Sequence, residues 1–311
     1  MDNQNSRINS RFLLNSKYFT THKFLFYRGV SVIQLKYEQF MNSKLKNIRL
    51  QFQGYLNTPL LWENHVVFNL KQLELPKLDT INFNESIPDK LLLGKRVERF
   101  LHAELEEHKN IKILLENAQI IHKKTTIGEI DCILMKDNLP IHLEIIYKFY
   151  LYDVSMGSTE IACWIGPNRK DSLLQKLNKL IDKQLPLINN VSTQAILKKI
   201  NINARHIQQR VCFKAQLFTP YKAHVNFEIL NKDCLAGFYI HFSEIEQFSD
   251  CKFHIPIKVN WLMDVQTEVE WLTYQLFYEE TSLIINKKRA PLCWIKFPDK
   301  TLQKFFVVWW K

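Results

Sequence analysis

Residues 126–152 read TIGEIDCILMKDNLPIHLEIIYKFYLY, and the reading of this stretch decides the fold. Apolar and polar residues alternate along both halves, the period-2 pattern of half-buried β-strands. Asp137-Asn138 between them suits a two-residue hairpin turn, because both residue types accept left-handed backbone angles. Counting away from that turn pairs Lys136 with Leu139 and, five steps on, Asp131 with Glu144. Directly opposed residues on one face carry Cβ atoms about 5 Å apart. Two carboxylates at that spacing repel one another unless a cation lies between them, so the count predicts a divalent metal position. On the second strand, His142, Glu144, Ile146, Lys148, Tyr150 and Tyr152 share one face, while Leu143, Ile145, Tyr147, Phe149 and Leu151 share the other. On the first strand Glu129 and Asp131 share a face, backed by Ile130, Cys132 and Leu134. One side of the hairpin is expected to be core, and the other to gather acid, base and aromatic groups.

Working outward, helical patterns flank the hairpin. From about Glu38 to Leu56, Met41, Leu45, Ile48 and Phe52 fall on one helical face, and Thr58-Pro59 ends the run. A second helix is expected from Pro88-Asp89 to about Lys109, with Leu93, Val97, Phe100 and Leu101 buried and Glu98 on its flank. Gly94 inside it suggests close backbone packing. Residues 111–121 read as a strand leading into the hairpin. After it, Gly166-Pro167-Asn168 is turn chemistry, Asp171 or Ser172 caps a third helix, and Pro186 stops it. Leu173, Leu177, Leu180 and Ile181 form its core stripe. Arg169, Lys170, Lys176, Lys179 and Lys183 load its remaining surface with positive charge, which reads either as a solvated face or as a phosphate-contacting one. Residues 210–221 alternate as a strand. Further on, GFYIHFSEIEQF reads as a strand, VEWLTYQLFYEETSLIINKK as a helix, and residues 291–311 as a terminal hairpin. Trp294, Trp309 and Trp310 there suit a core first and base stacking second.

Composition narrows the class. A hydrophobic fraction of 46% with 23% charged residues describes a globular chain of 311 residues and excludes a disordered one. A formal net charge of +11 suggests a polyanionic partner. Six cysteines scattered without CxxC spacing argue against zinc ribbons and disulfide frameworks and lead to the expectation of a reducing, cytoplasmic setting. The apolar run of the first segment is too short for a signal peptide, loose structure is expected before about Tyr18, and no apolar run is long enough to span a bilayer, so no membrane partner is expected.

From Asp89 to Tyr221 the order is helix, strand, strand, strand, helix, strand, with Asp131, Glu144 and Lys148 on the second and third strands. That order with those residues resembles the restriction-endonuclease-like PD-(D/E)XK fold. The fuller run LLLGKRVERF, TIGEID, HLEIIYKFYL, WIGPNRKDSLLQKLNKL, KQLPL and LFTP, with the earlier LNTPLLWE and terminal FFVVWWK, resembles domain-of-unknown-function family 1853, which belongs to that superfamily. The resemblance implies an α/β fold: an αβββαβ core with a mixed central sheet over residues 86–221, a mostly helical extension over 1–85, and an α+β extension over 222–311. It implies a Mg²⁺- or Mn²⁺-dependent nuclease acting on DNA or RNA. Asp131 and Glu144 then match the metal-binding acids, Glu98 the acid on the first core helix, and Lys148 the catalytic lysine. Arg169, Lys170, Lys176 and Lys179 are the expected nucleic-acid contacts. One departure stands out. The superfamily pattern places lysine two residues after the glutamate, where this chain has Ile146, and Lys148 lies about 13 Å along an ideal strand from Glu144. His142 reads first as a core histidine and second as a ligand or base. The alternative is a catalytically inactive nuclease-fold protein that binds nucleic acid or a protein partner.

Overall fold

In the computed structural model, which describes residues 32–78 and 81–311, the hairpin forms with the counted register as far as Cys132–Leu143, and the counted pair Asp131–Glu144 does not form. Strand β2 (Thr125–Lys136) and strand β3 (Leu139–Tyr152) flank Asp137 and Asn138, whose φ angles of 51° and 63° are both left-handed. Lys136 pairs with Leu139, and Cys132 with Leu143. Around this pair a nine-stranded mixed sheet is built from β1 (Ile111–His122), β4 (Trp164–Ile165), β5 (Gln208–Pro220), β6 (Leu235–His241), β7 (Lys252–His254), β8 (Leu292–Lys296) and β9 (Leu302–Val308). The order across it is β1-β2-β3-β5-β6-β9-β8-β7, with the short β4 against the end of β3. Strands β1, β2 and β3 run antiparallel, β3, β5, β6 and β9 pair in parallel, and β8 and β7 return antiparallel. The strands beyond residue 222 therefore continue the central sheet rather than forming a second one.

Helices cover both faces. Helix α1 spans Val32–Asn57 and stops where Thr58, before Pro59, bonds back to Gly54 through its hydroxyl at 2.8 Å. Helix α2 spans Leu93–Glu106, shorter at both ends than the pattern suggested. Ile48, Phe52 and Tyr55 of α1 and Val97, Phe100 and Leu101 of α2 pack with Cys132, Leu143, Tyr147 and Phe149. On the opposite face, helix α3 (Leu173–Lys179) sets Leu173 and Leu177 against Ile146, Tyr150 and Phe213. Its start is capped by Ser172, whose hydroxyl accepts from Gln175 N at 3.2 Å. The hairpin is thus apolar-packed on both faces, where the alternation had suggested one.

The third helix does not run straight to Pro186. After α3 the backbone widens into a π-type turn at Leu180–Gln184 and then tightens into a 3₁₀ turn at Leu185–Asn189. Pro186 supplies the reason for the tightening, since it has no N–H with which to continue an α-helix. Helix α4 (Val191–Lys199) packs Leu197 onto Ile120, Ile130 and Ile133, and helix α5 (Tyr274–Ile285) lays Phe277 on Phe253. Residues Lys46–Lys311 form one compact unit. The expected loose segment before Tyr18 falls outside the described residues. Among the described residues, no helix is long and apolar enough to cross a membrane.

Candidate active site

The β2–β3 ladder ends at Cys132–Leu143. One residue further, in place of a backbone pair, the Asp131 side chain enters the gap: its Oδ2 accepts from the Ile145 N–H at 2.9 Å. On the other side of β2, Asn117 of β1 stands opposite Asp131, between the pairs Glu116–Cys132 and Ala118–Ile130, with φ of 50°. A left-handed residue inside a strand turns the local pleat. The consequence is visible in the packing. Ile130 joins Ile133 in the cluster under α4, whereas Cys132 and Leu134 lie in the cluster on the opposite face. Strict alternation had put Ile130 with Cys132, and the kink at Asn117 and Asp131 overturns that placement.

Four carboxylates gather around this opening. Asp131 is the most perturbed. Burial and then the neighbouring Glu144 push its carboxyl up to about 7, against the pull of the Ile145 N–H. Glu98, 8% exposed on α2, is also raised, first by burial, with Lys95 opposing and Glu129 and Glu144 adding to the rise. Glu144 is fully buried. Its Oε1 lies 3.2 Å from Nε2 of the equally buried His142, and its Oε2 accepts from Gln184 Nε2. Gln184 Oε1 in turn accepts from Lys176 Nζ at 2.7 Å. The Lys176 amine is pushed down to about 8 by burial, while Glu144 and Asp131 pull it back toward its usual value. The wide turn after α3 is what brings Gln184 to Glu144, and such turns recur at functional positions.

The expected residues divide into two sets. Asp131, Glu144 and Glu98 come together as read. Lys176, expected on a surface face, donates to Gln184, which in turn holds Glu144. Lys148 is on the Glu144 face, but its Nζ is bonded to Asp171 Oδ2 at 2.6 Å. Arg169 bonds Asp153 at 2.6 Å and lies over the Trp310 ring, while Lys170 and Lys179 are exposed. Trp294 and Trp310 are buried and Trp309 is packed against the core, as the first reading of those aromatics had it. Gly94 has open space where a Cβ would sit, so it marks no close packing. The glycines at which backbones do crowd are Gly54 and Gly237, where a Cβ would lie 2.0 Å from the carbonyl oxygens of Leu262 and Lys304.

Three participants were not singled out from sequence: Lys95, Asn117 and Gln184. Lys176 carried a signal that was available. It stands three residues after Leu173 and four before Leu180, inside the apolar stripe of α3. Among the described residues, no group of three or more His, Cys, Asp and Glu side chains forms a metal-holding set by itself. Asp131 and Glu144 offer hard-oxygen carboxylates of the type Mg²⁺ and Mn²⁺ take, with both Glu144 oxygens engaged by His142 and Gln184.

Fold and site thus define a mixed α/β protein whose large central sheet opens around buried carboxylates. Residues 49–307 match the family described as domain of unknown function (DUF1853), and the chain belongs to that family. No curated protein and no solved structure matches it.

Proposed function

We propose that this protein is a Mg²⁺- or Mn²⁺-dependent nuclease of the PD-(D/E)XK type, hydrolysing phosphodiester bonds of DNA or RNA. The observation that carries the reading is the half-buried Asp131 carboxylate set in the strand opening, where its Oδ2 accepts from the Ile145 N–H next to the fully buried Glu144. Asp131 and Glu144 would hold the metal, with Glu98 the third acid of the group. A metal bound there would supply an activated water and offset charge on the phosphoryl oxygens. The protein's own groups do the rest. His142 and Gln184 fix the two Glu144 oxygens, a role that orients a metal-binding carboxylate. Lys176 anchors Gln184 and faces both acids, and an amine near 8 can hold or release a proton close to neutral pH. Lys176 therefore takes the part that the resemblance, despite the displaced position, had assigned to Lys148. Exposed Lys170 and Lys179, with Lys183, offer a phosphate-contacting face next to it.

A specific observation favours the second reading, a nuclease-fold protein that binds without cutting: Lys148 is held by Asp171 and Ile146 occupies the usual lysine position. A cleavage screen with Mn²⁺ over single-stranded, double-stranded and branched DNA and RNA separates the two. The nuclease reading expects cutting that is lost in Asp131→Asn and Lys176→Met and kept in Lys148→Ala, with binding nearly unchanged because one phosphate contact among several contributes little. Binding without cutting of any substrate supports the second reading. Undiminished cutting by Asp131→Asn places the chemistry elsewhere.

A further inference from the structure

Beside the Asp131–Glu144 opening, Lys95 in the first turn of α2 makes three contacts with side-chain oxygens. Its Nζ donates to Glu98 Oε2 and to Asn117 Oδ1, each at 2.8 Å, and to Glu129 Oε1. An ammonium has three N–H donors, so the set is complete. Glu129 comes from β2, Glu98 from α2, and Asn117 from the kinked position of β1, so three separate elements converge on one amine. The i,i+3 pair with Glu98 accounts for one of the three contacts within the helix, and those to Asn117 and Glu129 reach beyond it. A positive charge in the first turn opposes the helix dipole, and α2 has no acidic residue in that turn to compensate. Hard, anionic and amide oxygens converging at hydrogen-bond range are also the donor chemistry that a divalent cation selects.

We infer that Lys95 is a built-in counter-ion occupying the position that a second divalent metal would otherwise take, so that the site admits one metal ion rather than two. The inference rests on the metal-dependent reading of Asp131 and Glu144, and it makes Lys95 a positioning residue: it holds Glu98 and Glu129 in place without a second ion. Lys95→Ala removes the amine and leaves Glu98 Oε2, Glu129 Oε1 and Asn117 Oδ1 without their shared donor, oxygens of the kind a divalent cation selects.

The test is Mn²⁺ stoichiometry on the full chain, read from the electron paramagnetic resonance signal of unbound Mn²⁺, with thermal melts as the check on folding. The expected result is one ion in wild type, two in Lys95→Ala, and one again in the double variant Lys95→Ala with Glu129→Gln. One ion in both wild type and Lys95→Ala overturns the inference and leaves the Asp131–Glu144 reading standing. Two ions in wild type also overturn it, since Lys95 then excludes nothing. No ion in wild type but one in Lys95→Ala, lost again in the double variant, supports the role of Lys95 and overturns the metal reading of Asp131 and Glu144. No ion in any of the three overturns both.

Discussion

The two ends of the central sheet are built on opposite terms. At the C-terminal end, β8 and β9 pair without interruption from Leu292–Phe306 to Lys296–Leu302. Their inner face joins an entirely apolar cluster in which the Phe253 and Phe277 rings stack at 4.1 Å and Phe305 is fully buried. At the other end, the β1–β2 register shifts twice, the β2–β3 ladder stops partway, and two charged or titratable side chains, His142 and Glu144, are wholly buried. Burying charge is costly unless it is paired or coordinated. A chain able to build the first kind of packing retains the second only where it has a use, which is why local rules tend to break at functional positions. Regular pairing dominates the apolar end, with buried Lys304 on the other face of β9, bonded to Gln216 Oε1 at 3.0 Å, as its polar exception, and interrupted pairing accompanies the buried carboxylates.

This contrast can be broken by mutation. The largest effect belongs to the framework: Phe305→Ala should cost about 3–5 kcal/mol, as truncation of a buried aromatic does, read by denaturant unfolding. A loss below about 1 kcal/mol would mean that the apolar end is not the anchor described here.

A smaller and opposite effect belongs to the site. Between about pH 4 and pH 7 the folded chain holds a proton on Asp131 that the unfolded chain has released. Stability should therefore fall as pH rises through that window, and the cost of the ionised carboxylate persists in full above it. The raised Glu98 acts with the same sign. Asp131→Asn keeps the shape and removes the charge, so its melting temperature should lie above wild type at pH 8 and converge toward it at pH 5. Parallel pH profiles for the two proteins would show that Asp131 carries no such repulsion. The smallest effect is Gly94→Ala, which meets open space and gains helix propensity of about 0.5–1 kcal/mol. Destabilisation there would reveal a contact that the packing does not contain.

What was legible in the sequence follows the same division. The hairpin register could be counted because Asp137-Asn138 specifies a turn and the turn specifies the pairing. The helix–strand order and the terminal hairpin were legible for the same reason: periodicity reports burial, and burial is regular in the framework. The site was legible only as far as the regular pattern extends, to Cys132–Leu143. The left-handed angle at Asn117 has no period to betray it. Gln184 reaches Glu144 through a widened helical turn that single-residue spacing does not encode. Lys95 acquires its role from three elements distant in sequence. Lys176 was the exception, readable from its helical phase, and it was masked by the run of surface lysines around it.

The central claim is that the opening between β2 and β3 is a metal site, and a Mn²⁺-soaked crystal of the full chain tests it most directly. An anomalous-difference peak bonded to oxygens of both Asp131 and Glu144 is the predicted result. Peaks confined to other parts of the molecule, or the two carboxylates standing more than about 8 Å apart, beyond what one metal shell can bridge, would contradict it.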